Sequence, residues 1–183
     1  MRHTAIVTPI SKVSQQTNCG DYRPISVTPI MSRIVEKIVV RTWLCPSIIP
    51  AELLINQYGF RPTGSTTSAL IHLFHSITRM LESCSYVKAL LTDFTKAFNI
   101  VDHTVIISKL AKLQLPGNIY NRIGAFLSNR DQICRYKNFV SKSTTCNRGF
   151  VQGSGLGPTL FVVLTLDLNI VFNYSVIVKF ADD

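Results

Sequence analysis

No stretch of this sequence is apolar for long enough to make a membrane-spanning helix. The most apolar part, residues 156–172, is broken early by Pro158 and carries Asp167 and Asn169. A secretory leader is also missing, because the apolar residues after Arg2 and His3 are stopped by Pro9. Cysteine is sparse and unpatterned: positions 19, 45, 84, 134 and 146 give an odd number, no C-x-x-C, and no Cys/His spacing that suits zinc. These are the reduced thiols of an intracellular protein, nuclear or cytoplasmic. His72 and His75 fall on one helix but have no third ligand at a matching spacing. There is no internal repeat and no low-complexity segment. The glycine-rich residues 149–158 follow neither G-x-x-x-x-G-K-[ST] nor G-x-G-x-x-G, so they are not a P-loop or a dinucleotide turn. Acid is scarce as well, with 10 Asp and Glu against 19 Lys and Arg, for a net charge of +9 and a pI of about 9.6. That excess favours a polyanionic partner without naming it.

What is present is a globular chain of 183 residues, 46% hydrophobic, enough for one core. Two apolar runs end on acid. Residues 87–91 read as a buried strand that Thr92 closes before Asp93, and residues 175–180 read as a strand that leads into Ala181-Asp182-Asp183. A lone aspartate at a strand end is ordinarily unremarkable, and a terminal acidic pair is ordinarily solvated. If the two strands share a sheet and a direction, however, Asp93 and Asp182 meet at one edge. Carboxylates held together in that way repel unless a divalent cation lies between them.

Between these runs the pattern alternates. Residues 5–10 read as a short strand, followed by a polar loop that holds Lys12. Residues 21–26 are extended, since Pro24 keeps the residue before it out of the helical region. Ser32 caps a helix with the stripe Ile34, Val35, Ile38 and Val39, which Pro46 and Pro50 stop. After a loop at 57–65, Thr66 or Thr67 opens a helix with apolar positions Leu70, Leu73, Phe74, Ile77 and Leu81. Further helices follow Asp102-His103 and Pro116-Gly117. Residues 132–140 read as a hairpin with Lys137-Asn138 at its tip, and Pro158 suits the first turn of a helix through Leu160, Phe161, Leu164 and Leu168.

Several stretches follow one another in a recognisable order. They are Pro9-Ile10-Ser11-Lys12, Asp21-Tyr22-Arg23-Pro24-Ile25-Ser26 and Gln57-Tyr58-Gly59-Phe60-Arg61-Pro62 with Ser65-Thr66-Thr67. Next come Asp93-Phe94-Thr95-Lys96-Ala97-Phe98, Val101-Asp102-His103, Phe126-Leu127-Ser128-Asn129-Arg130, Gln152-Gly153-Ser154 with Leu156-Gly157-Pro158, and Phe180-Ala181-Asp182-Asp183. Together they resemble the reverse transcriptase domain of non-LTR retrotransposons (long interspersed elements), in the style of the jockey and RTE groups, and they cover nearly the whole chain.

The resemblance implies an α/β (α+β) fold, the fingers and an incomplete ferredoxin-like palm of a right-hand polymerase. Residues 1–85 would be mostly fingers. Residues 86–183 would be palm with a fingers insertion, ending in the catalytic hairpin turn, with no thumb. It implies RNA-directed DNA synthesis on an RNA template and DNA primer from deoxynucleoside triphosphates. No membrane and no protein partner is indicated. Asp93, Asp182 and Asp183 would be catalytic. Asp93 and Asp182 would be the ligands of two Mg²⁺ ions, with Mn²⁺ as an alternative, because this chemistry needs hard oxygen donors. Lys12 and Arg23 would contact the triphosphate, Phe98 would exclude a 2′-hydroxyl, and Gln152 and Gly153 would lie beside the incoming nucleotide. Gly59, Arg61 and Ser65 would follow template or primer.

The chain departs from the family at Asn99, Val151, Leu164 and Leu166. The family's third palm strand, primer grip and thumb would come after Asp183, so the 183 residues alone are expected to be inactive. Two rival readings are a basic nucleic-acid-binding remnant without catalysis and a metal-dependent nuclease. Gln152-Gly153, Phe98 and the triphosphate-type cations argue against the nuclease.

Overall fold

The computed structural model describes residues 3–49, 54–61, 63–94, 97–172 and 174–181. Five strands form its sheet. Strand β1 (His3–Ser11) has antiparallel β2 (Tyr22–Ser26) on one side and parallel β3 (Arg130–Tyr136) on the other. The register pairs Val7 with both Ser26 and Cys134. Beyond β3 lie β4 (Phe139–Val140) and β5 (Thr144–Cys146), both antiparallel to it. The β3–β4 hairpin turns at Lys137-Asn138 as expected, and Lys137 takes the left-handed φ of 53° that a tight turn needs. Next to the turn of this hairpin, Tyr22 and Tyr136 meet edge to face at 5.9 Å.

The core is helical. Helix α1 (Ile30–Val39) passes through a wider π turn (Val40–Leu44) into α2 (Cys45–Ile48). Helix α3 is Thr66–Leu81, α4 is His103–Leu110, α5 is Gly117–Leu127 and α6 is Gly157–Leu164. Leu44, Ile48, Ile106, Leu110, Ile123, Leu127, Leu160, Phe161 and Val163 form one buried cluster. Helix α6 is apolar on almost every side, which suits a helix at the centre, and Pro158 occupies its first turn where no amide is needed. Asp102 starts α4 by accepting a 2.8 Å hydrogen bond from the Thr104 amide.

Several expectations need correction. Residues 87–91 are not a buried strand: they belong to a segment without regular secondary structure or ladder hydrogen bonds among the described residues, and Leu90 and Leu91 are each 89% exposed. A strand exists through the backbone of a neighbour, and an apolar run does not say whether that neighbour is there. Residues 175–180 reduce, for the same reason, to one parallel bridge between Gln57 and Lys179. The first helix starts at Ile30, and its buried face runs through Glu36 and Val39 while Ile34 and Ile38 face water. Pro46 does not stop it, because the π turn shifts the ladder and brings the proline into the first turn of α2. Pro50 lies outside the described residues. Helix α3 forms as expected, capped by Ser65, but Leu70, Phe74 and Leu81 on its apolar stripe stay exposed.

Candidate functional site

The loop between β5 and α6 is tied down from three directions. Gly149 enters it with φ +77°, and a Cβ there would lie 2.6 Å from the Asn99 carbonyl oxygen. The Gly149 amide donates to the Val101 carbonyl at 2.8 Å and the Phe150 amide to the Phe98 carbonyl at 2.7 Å. Phe98 therefore has a set position. Its ring stacks on Phe161 at 5.2 Å and meets Phe60 and Phe150 edge to face at 6.0 and 6.3 Å.

Three positions on, Gln152 donates through Nε2 to the Asn99 side-chain oxygen at 3.0 Å, and its carbonyl accepts from the Ser26 amide at 2.9 Å. Gly153 follows with φ +104°, and a Cβ there would come within 2.6 Å of the Ser26 carbonyl oxygen. Only glycine lets the loop lie this close to β2. Phe98, Asn99, Gln152 and Gly153 are thus one cluster against the end of β2. Arg23 lies on the same strand three residues before Ser26, about 10 Å along it at the usual rise, and is exposed. Lys12 follows β1 at the far end of that ribbon, where its amide donates to the Asp21 carbonyl and its Nζ to the Gly20 carbonyl at 3.0 Å.

The third tie is Glu36, which the sequence reading missed. Its buried carboxylate accepts the amides of Gly155 at 2.5 Å and Leu156 at 3.2 Å, and the Ser32 hydroxyl at 3.0 Å. A carboxylate here also complements the amino end of α6. The Ser32–Glu36 spacing was visible in the sequence, but the link to Gly155 was not.

Beside the cluster runs a groove of about 540 Å³, whose lining includes Asn99, His103, Arg130, Arg148 and Gln152. His103 Nε2 and the Gly149 carbonyl oxygen are 2.8 Å apart. The Arg130 guanidinium lies over the Phe126 ring at 5.0 Å, and burial lowers its pKa.

The acids are not brought together in what is described. Asp93 is exposed on the irregular segment that follows α3, and Asp182 and Asp183 lie outside the described residues. Among the described residues no group of three or more His, Cys, Asp or Glu side chains could hold a metal ion. Gly59 packs on the segment before Asp182: a Cβ on it would lie 2.0 Å from the Ala181 nitrogen. Arg61 is exposed and reaches the Leu54 carbonyl at 3.4 Å, and Ser65 serves as the cap of α3. No helix among the described residues is long and apolar enough to cross a membrane.

Residues 10–183 match the family described as reverse transcriptase (RNA-dependent DNA polymerase). The chain is 32% identical over 149 residues to the probable RNA-directed DNA polymerase from transposon BS of Drosophila melanogaster, covering 80% of this chain and 16% of that protein. Identity to the probable RNA-directed DNA polymerase from transposon X-element of Drosophila melanogaster is 29% over 170 residues, with 90% and 18% covered. For the RNA-directed DNA polymerase from mobile element jockey of Drosophila melanogaster it is 28% over 152 residues, with 83% and 16% covered. The chain spans only 16% to 18% of the length of these relatives. It belongs to the reverse transcriptase (RNA-dependent DNA polymerase) family.

Proposed function

We propose that this chain is the fingers and part of the palm of an RNA-directed DNA polymerase from a non-LTR mobile element, with residues 1–85 mostly fingers and 86–183 palm with a fingers insertion. The observation that carries the reading is the packing of Gln152 and Gly153 on β2 and Asn99. It joins three motifs that are far apart in sequence into one cluster, in which Asn99 and Gln152 line the neighbouring groove and Phe98 packs behind them. Such a cluster suits the base and sugar of a deoxynucleoside triphosphate, and Arg23 and Lys12 on the neighbouring ribbon suit its phosphates. Asp93 is an exposed hard-oxygen donor. With Asp182 it would hold Mg²⁺, and Asp183 would complete the acidic group. When bound, the ions would lower the pKa of the primer hydroxyl and neutralise the leaving pyrophosphate. Template and primer would lie along the groove walled by Arg130 and Arg148 and along Arg61.

A second reading, nucleic-acid binding without catalysis, is favoured by the +9 charge and needs no acid pair. Photolabelling separates the two. An azido-substituted deoxyadenosine triphosphate should label peptides that contain Phe98 or Gln152, and excess dATP should suppress it. Label scattered over exposed lysine peptides and indifferent to dATP would contradict the nucleotide site.

A further inference from the structure

The end of the described chain rests on two elements that the nucleotide cluster does not use. The first is the segment around Gln57. The Lys179 amide donates to the Asn56 carbonyl at 2.7 Å, and the Tyr58 amide donates to the Lys179 carbonyl at 2.8 Å. Gln57 is 1% exposed, and its side-chain oxygen accepts the Gly59 amide at 3.0 Å, which curls the segment back on itself. Gly59 then passes so close to Ala181 that no side chain fits between them. The second element is the carboxyl end of α6 with the turn that follows it. The Lys179 side chain, with the residue 5% exposed, places Nζ 3.3 Å from the Thr165 carbonyl oxygen and 3.1 Å from that of Leu168.

A lysine is rarely buried to this extent without partners. Here the partners are two backbone carbonyls, that of Thr165 at the negative end of α6 and that of Leu168 in the turn beyond it, and both attract a cation. Burial still lowers its pKa. An apolar side chain of similar length would fill the space with a smaller desolvation cost. What the ammonium adds is direction, because two carbonyls fix where the lysine, and the backbone on either side of it, must lie.

We propose that Gly59 and Lys179 are positioning residues that together seat residues 179–181, and so fix the point from which the chain continues to Asp182. The seat gives Gly59 a task different from contact with template or primer. Its link to catalysis rests on the reading of Asp182 as a metal ligand; the seat itself does not.

The full 183-residue chain tests this with Lys179→Met, Lys179→Arg and Gly59→Ala. Amide hydrogen exchange reads the seat and Mn²⁺ binding by electron paramagnetic resonance reads the acids. Lys179→Met should keep or raise the melting temperature, yet the Tyr58 and Lys179 amides should exchange at least about tenfold faster while α6 stays protected. Gly59→Ala should speed the same two amides, and Lys179→Arg, which can reach both carbonyls, should restore them. Wild-type protection of both amides in Lys179→Met and Gly59→Ala overturns the proposal. So does a general loss of protection with a lowered melting temperature in Lys179→Met that arginine does not rescue. In the second arm, Lys179→Met should weaken Mn²⁺ binding about tenfold, as expected when a metal site gains slack. Mn²⁺ binding by the parent chain that ignores Asp93→Asn contradicts the metal reading instead, and the exchange rates still decide the seat.

Discussion

The Glu36 carboxylate, 4% exposed, accepts a 2.5 Å hydrogen bond from the Gly155 amide 119 residues further along the chain. Through it, the first helix holds the loop that carries Gln152. Glu36→Ala leaves the Gly155 and Leu156 amides without their acceptor, and an orphaned buried donor costs about 1–3 kcal/mol. We expect a loss of about 3 kcal/mol in urea unfolding, and a smaller one for Glu36→Gln, which keeps an acceptor oxygen. Equal losses for the two variants would mean that shape rather than hydrogen bonding sets the contact.

Gly153 is the second fixed point. Gly153→Ala meets both an unfavourable φ and the Ser26 carbonyl oxygen, so it should cost about 1–3 kcal/mol. It should also reduce photolabelling by the azido nucleotide in the variant that remains folded, because Gln152 moves with it. Unchanged labelling would detach this loop from the nucleotide site.

Acid should weaken the fold in a defined window. Hydrogen bonds from Thr104 hold the Asp102 carboxyl below its usual value, those from Asn18 and Thr17 do the same for Asp21, and Lys109 does so for Asp167. In each case the folded state binds its proton more weakly than the unfolded state. The stabilisation is therefore complete above the ordinary carboxylate value of 3.8 and is lost as pH falls through the lowered values. Thermal melts between about pH 5 and 2 should show it, and Asp102→Asn should flatten part of that slope. A melting temperature that is level over this range would contradict the assignment.

Nucleic-acid binding should be phosphate-driven. With a charge of +9, affinity for RNA or DNA should fall by orders of magnitude between about 50 and 200 mM salt and depend little on sequence. Anisotropy titrations at several salt concentrations check this. A binding constant that barely changes would point to a different kind of partner.

Much of this was legible in the sequence. Helix α3, the start of α6 at Pro158, and the hairpin at Lys137-Asn138 follow from local rules, namely periodicity, proline placement and turn chemistry, although α6 ends at Leu164 and does not run on through Leu168 as its apolar spacing suggests. The motif order gave the family in the same way. What did not come through depends on partners distant in sequence. Residues 87–91 have the composition of a buried strand, but pairing is set by a neighbour that composition does not name. Ile34 and Ile38 look like the buried side of α1, yet the loop at Gly155 draws Glu36 inward and turns them to solvent. The approach of Gly59 to Ala181 was likewise invisible, since a glycine in a loop does not announce what passes beside it.

The central claim is that Asp93 works with Asp182 in metal-dependent nucleotidyl transfer. Its most direct test replaces the matching segment of the jockey RNA-directed DNA polymerase with residues 10–183 and measures extension of oligo(dT) on poly(rA). The account predicts Mg²⁺-dependent synthesis that Asp93→Asn abolishes, while Glu82→Gln, at an exposed position just past α3, leaves it within about twofold, as for surface changes away from a site. Extension by the Asp93→Asn chimaera at the parent rate would contradict it.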